Sequence, residues 1–98
     1  MSNTTQLIKE WAEKRGLSKA DPIRQFLKLA EEVGELGAAL ARNIRDDQRD
    51  AIGDIYVVLT ILSMQLGYDV EQCIDDAYNV IKNRTGQLKN GVFVKDEK

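Results

Sequence analysis

Between Ala51 and Leu66 the chain carries a single charge, Asp54. The apolar residues of that run, among them Ile52, Ile55, Val58, Leu59, Ile61 and Leu62, follow no one-sided pattern. A helix that is apolar nearly all round must lie at the centre of a bundle or be shared with another subunit, because one neighbour cannot cover two faces. With one proline, seven glycines and 43% hydrophobic residues in 98, long helices are favoured over a β-rich fold. The fold class read from the sequence is therefore all-α, as a single domain over residues 1–98. A chain this short buries only ~60–65% of its unfolded surface, so association is expected.

Local punctuation divides the chain into four helical segments. The first runs from about Thr4 to Lys14, with Leu7, Ile8 and Trp11 on one stripe, and stops at Arg15-Gly16. Asp21-Pro22 opens the second as N-cap and first helical residue. It continues to about Asn43, with Ile23, Phe26, Leu27, Ala30, Val33, Leu36, Leu40 and Ile44 as its apolar stripe. The third starts near Asp46 and Asp47, whose charges suit a helix N-terminus, and ends with Gly67 just past its last turn. Asp69 and Gln72 read as a capping pair for the fourth, which presents Val70, Cys73, Ile74, Ala77, Tyr78 and Ile81 and ends near Arg84 or Gly86. The tail from Gln87 holds Asn90-Gly91 between short apolar arms, a hairpin signal that an extended strap also fits.

The absence of histidine narrows the chemistry most. It removes Ser-His-Asp triads, Cys-His pairs and HExxH zinc sites together. The lone Cys73 allows no intramolecular disulfide and reads as a buried thiol. Carboxylates, lysines and a metal remain. Glu31, Glu32 and Glu35 fall on one wedge of the second helix, where Glu35 neighbours both others. Such triplets are also common on solvated faces, and Lys28 is spaced to pair with Glu31 or Glu32. Asp54 is the harder residue to explain, since a carboxylate in an apolar interior costs several kcal/mol unless paired or bound to a cation. Asp50 shares its stripe. Gly34, Gly37 and Gly53 beside these carboxylates suggest close backbone approach, although glycines also serve plain helix packing. A divalent cation between the two helices would resolve the charge conflict, and all-oxygen ligands suit Mg²⁺, with Mn²⁺ as a substitute.

These residues resemble the MazG-like all-α nucleoside triphosphate pyrophosphohydrolases. Glu31-Glu32-Val33-Gly34-Glu35 matches the family's EExxE motif, and Asp50-Ala51-Ile52-Gly53-Asp54 matches its ExxD motif in part, with Ala51 at the glutamate position. The resemblance covers roughly Leu7 to Arg84. It implies a four-helix bundle and Mg²⁺-dependent cleavage of a (d)NTP between the α and β phosphates, giving a nucleoside monophosphate and pyrophosphate. It further implies Glu32, Glu35 and Asp54 as metal ligands, Asp50 as a fourth or outer ligand, and Glu31 binding a further ion or orienting the attacking water. Proton acceptance by Glu31 is the catalytic role it suits. A homodimer or homotetramer with a shared site is implied as well.

Lys28, Lys82 and Arg84 are candidates for the triphosphate oxygens, and the family's late basic residue and asparagine favour Lys82 and Asn83. As plain structure, the same cations are helix-end charges or surface pairs. Trp11 is the first candidate to stack on a base, and Trp11, Phe26 and Tyr78 are equally core aromatics. A formal charge of −2 argues against nonspecific nucleic-acid binding. Met1 to Gln6 is polar and no uninterrupted apolar span is present, so neither secretion nor a membrane is expected and the cytoplasm is. The competing classes are a non-catalytic helical interaction module and a nucleotide or metal sensor.

Overall fold

A computed structural model describes residues 3–97; Met1 and Ser2 of the N-terminal segment and Lys98 of the tail lie outside the described residues. The elements are α1 (Thr4–Lys14), a 3₁₀ turn (Leu17–Lys19), α2 (Pro22–Arg42), α3 (Arg45–Gln65), α4 (Val70–Ile81), β1 (Gly86–Lys89) and β2 (Val92–Lys95). The protein is mostly helical, with a short C-terminal hairpin. No single helix among the described residues is long and apolar enough to cross a membrane.

The helix ends follow from backbone chemistry. The Asp21 carboxylate accepts from the Ile23 N–H at 3.0 Å, and Pro22, which has no N–H to satisfy, takes the first helical position. α2 stops where Asn43 adopts φ +55°, letting the Ile44 N–H reach the Ala39 carbonyl. α3 stops in the same way at Gly67, φ +84°, with the Tyr68 N–H on the Ser63 carbonyl at 2.8 Å. Asp69 caps α4 through the Glu71 N–H, but Gln72 bonds forward to Asp76 rather than back to the cap. α4 is also shorter than expected. Its last turn gives way after Ile81 because Thr85 and Asp96 close the hairpin by two hydrogen bonds.

α3 is the hub. α1, the 3₁₀ turn, α2 and α4 each pack against it, and among the described residues α2 packs against no other element. The two-residue connection at Asn43-Ile44 makes α2 and α3 an antiparallel pair. α4 departs from α3 at 104°. Lys9 ties α1 to the start of α4 through Asp69, at 2.9 Å, and Glu71, at 3.6 Å.

The inward face of α2 is not the apolar stripe. Gln25, Leu29, Glu32, Leu36 and Ala39, spaced by three and four, are covered or half-covered, and Pro22 and Ala38 are half-covered beside them. Ile23, 71% exposed, and Phe26, Leu27, Val33 and Leu40 lie on the open side. Each set alone satisfies a helical period, so periodicity could not choose between them. α3 likewise buries Ala51, Val58, Thr60, Ile61 and Ser63 while leaving Ile52 and Leu59 exposed, so one chain does not cover it all round. On α4 only Val70 is buried, and Cys73 is exposed rather than a buried thiol. Gly34, Gly37 and Gly53 do not mark close approach to a neighbouring element, since beyond the adjoining backbone of their own helices no described heavy atom lies within 4 Å of where a Cβ would stand.

The tail is a hairpin. Gln87 pairs with Val94 and Leu88 with Phe93, around an Asn90-Gly91 turn whose positive φ values, +52° and +81°, match the right-handed strand twist. Among the described residues it packs against no helix.

Candidate metal centre on the α2–α3 seam

Glu31, Glu32 and Glu35 each offer one carboxylate oxygen within 4.8 Å of the others. Their burial is unequal. Glu32 is only 6% exposed because it occupies the inward face of α2, whereas Glu31 and Glu35 are exposed. The Glu32 Oε2 is buried without a hydrogen-bond partner. Burial, then the neighbouring charges of Glu35 and Asp54, push the Glu32 carboxyl above the ordinary glutamate range; Lys28 opposes this and Glu31 adds to it.

The expectation that Asp54 is the buried member is overturned. Asp54 is exposed, and the costly interior carboxylate is Glu32. Asp54 still faces the cluster, as its effect on Glu32 shows. Asp54 and Asp50 also line a cavity of about 240 Å³ with Glu35 from α2.

Two further residues of that cavity, Asp47 and Arg42, were not singled out by sequence reasoning. Asp47 was read only as a helix-start charge. Its spacing to Asp50 and Asp54, three and then four residues, was the signal that all three share a stripe of α3. Arg42, in the last turn of α2, carried no such signal.

The substrate-binding candidates divide into two groups. Lys28 approaches Glu31 at 3.7 Å and shares a cleft of about 430 Å³ with Trp11. The Arg15 guanidinium lies 4.2 Å above the centre of the Trp11 ring, on an indole that is otherwise about half exposed. Lys82, Asn83 and Arg84 follow the end of α4, beyond its 104° departure. Asn83 and Arg84 line a different hollow with Thr85, Lys95 and Asp96, which none of the cluster carboxylates shares.

Part of the chain is similar to a phage protein. Over 69 residues the chain is 46% identical to an uncharacterized 18.2 kDa protein from the rep-hol intergenic region of Haemophilus phage HP1. The match covers 66% of this chain and 42% of the phage protein. No protein-family model matches the chain, and no solved structure matches it.

Proposed function

We propose that the chain is a Mg²⁺-dependent nucleoside triphosphate pyrophosphohydrolase of the MazG-like type, converting a (d)NTP to a nucleoside monophosphate and pyrophosphate. The observation that carries this reading is Glu32, a buried carboxylate with an unpartnered oxygen among like charges. A buried acidic group with no cationic hydrogen-bond partner is costly in isolation, and a divalent cation on an all-oxygen donor set removes that cost. Glu32, Glu35 and Asp54 are the proposed ligands, with Asp50 as a fourth or outer one.

When bound, the cation neutralises phosphate charge and acidifies water at the site. Glu31, exposed and beside Glu32, takes the proton as the water oxygen bonds to the α-phosphorus and the bridge to the β-phosphorus breaks. Pyrophosphate leaves with the bridging oxygen. Lys28, which approaches Glu31 at 3.7 Å, is the proposed contact to phosphate oxygens. The reading includes assembly into a homodimer or homotetramer, supported by the open apolar sides of α2 and α4, and work in the cytoplasm.

Those same open sides favour a second reading, a helical interaction module without turnover. Incubating the protein with a panel of (d)NTPs and Mg²⁺, with product identification, separates the two. Nucleoside monophosphate plus pyrophosphate is expected. Nucleoside diphosphate plus phosphate, or no product and no effect of Mg²⁺ on melting, would reject the enzyme; a melting shift without product would indicate a sensor.

A further inference from the structure

α4 and the hairpin each lack a cover that the other has the chemistry to supply. Of α4 only Val70 is buried, and the stripe formed by Ile74, Ala77, Tyr78 and Ile81 is exposed. Among the described residues α4 packs against α3 alone, and the strands of the hairpin pack only against each other. A hollow of about 490 Å³, with Val80, Asn83, Arg84 and Lys95 in its walls, lies between the end of α4 and the base of the hairpin. The hairpin therefore stands off its own helix. Leu88 and Phe93 are cross-strand partners, and Lys95, two residues past Phe93, shares their face. Among the described residues Leu88, at 76%, is the most exposed large apolar side chain.

The charges of the two pieces are opposite. α4 carries Glu71, Asp75 and Asp76 and no cation, whereas the strands and their turn carry Lys89 and Lys95 and no anion. Among the described residues Lys89, Lys95 and Asp75 form no ion pair. Glu71 and Asp75, one helical turn apart, run along one edge of the apolar stripe. The amount of open surface points to a second copy as the cover. The chain exposes 7835 Å², whereas a compact monomer of 11.1 kDa exposes about 5,700 Å². The surplus of about 2,100 Å² falls within the roughly 1,000–2,500 Å² that each partner buries in an obligate homodimer. The radius of gyration, 16.2 Å, likewise exceeds the ~13 Å of a compact chain of this length.

We propose that two copies exchange their C-terminal arms about a twofold axis, the Leu88–Phe93 face of each hairpin lying on the Ile74–Ile81 stripe of the other copy's α4, with Lys95 beside that helix's Asp75. The twofold makes the contact twice, so the match of acid with base is satisfied in both directions. A four-residue strand is about 13 Å long and the stripe from Ile74 to Ile81 about 10 Å, so one hairpin spans it. Two strands that are marginal alone gain the helix they need. This rests on the assembly part of the proposed function, adds to it the surfaces that meet, and is independent of the reaction.

The test is sedimentation equilibrium of the unaltered chain, Leu88→Lys, Lys95→Glu, Asp75→Lys and the combined Lys95→Glu/Asp75→Lys variant, with circular dichroism to check folding. All three positions are exposed, so the single chain should keep its fold. The unaltered chain should associate as a dimer or a pair of dimers. Leu88→Lys should raise the dissociation constant about tenfold or more. Each charge reversal should raise it about fivefold, because it acts twice per dimer, and the combined variant should return it to within about twofold of the original. In Leu88→Cys, a short bifunctional thiol reagent should join the new thiol to the exposed Cys73 of the other copy. A dimer indifferent to Leu88→Lys, a combined variant no tighter than the single reversals, or cross-links joining hairpin to hairpin overturns the arm exchange and leaves assembly through α2 standing. A monomer at every concentration overturns assembly and arm exchange together, and pyrophosphate release decides the reaction separately.

Discussion

The α2–α3 seam and the C-terminal third of the molecule break the hydrophobic rule in opposite directions. In the seam a carboxylate, Glu32, sits inside while Ile23, Phe26 and Leu27 of the same helix lie outside. In α4 and the hairpin almost nothing is inside: Ile74, Tyr78, Val80 and Ile81 are exposed, and Leu88 is 76% exposed. An interior charge without a partner points to a ligand, whereas an exterior apolar face points to another protein surface. The seam therefore carries the chemical expectation and the C-terminal third the assembly expectation, and each can fail without the other.

The strongest test of the seam is Glu35→Gln. It should lower turnover by about a hundredfold or more while changing the melting temperature little, because Glu35 is exposed and a proposed ligand. Near-full activity at saturating Mg²⁺ would remove Glu35 from the site. For the C-terminal third, sedimentation should show a species of at least twice 11.1 kDa, and Tyr78→Lys with Ile81→Lys should shift it towards the monomer. A well-folded monomer in the unaltered chain would break the assembly half of the comparison.

A subtler effect is expected from pH. The Glu32 carboxyl titrates above its unfolded value, so the native state binds its proton more tightly and ionisation opposes folding. Without divalent cations, melting temperature should rise as pH falls from neutral towards the ordinary glutamate range, up to the point where other carboxylates begin to protonate. Mg²⁺ should flatten that rise. Glu32→Gln should raise the metal-free melting temperature at neutral pH and abolish both the pH dependence and the Mg²⁺ shift. If Glu32→Gln instead destabilises the metal-free protein, the buried carboxylate has a partner in solution and the metal reading loses its main support.

The smallest effect on the seam should come from Gly86→Val. A Cβ at Gly86 would run into the Phe93 ring and the Val94 carbonyl, so the pairing of β1 with β2 should be lost in amide NMR spectra. Two strands alone are marginally stable, and among the described residues the hairpin packs against no helix. The Mg²⁺ response of the seam should therefore be unchanged. A coupled loss would show that the two regions are one unit after all.

Elements were legible to the extent that their signals are local. Asp21-Pro22, Asn43, Gly67 and Asn90-Gly91 each act through a hydrogen bond or a φ value within a few residues, and each sits where the sequence put it. The end of α4 was missed because Thr85 is closed by Asp96, eleven residues away. The acidic cluster was legible as a wedge on one helix, since spacing of three and four is itself geometry. Asp47 carried the same kind of signal in its spacing to Asp50 and Asp54, whereas Arg42 became visible only when the α2–α3 connection folded it into their cavity.

The sequence by itself determined four helices and their boundaries to within a few residues, and its lack of histidine excluded imidazole chemistry. Tertiary structure alone decided which carboxylate bears the cost. Asp54 lies in an apolar run yet remains in water, and Glu32 lies among charges yet is buried. A residue's solvation is set by what packs against it from elsewhere in the chain, and α3 packs against the Glu32 face of α2.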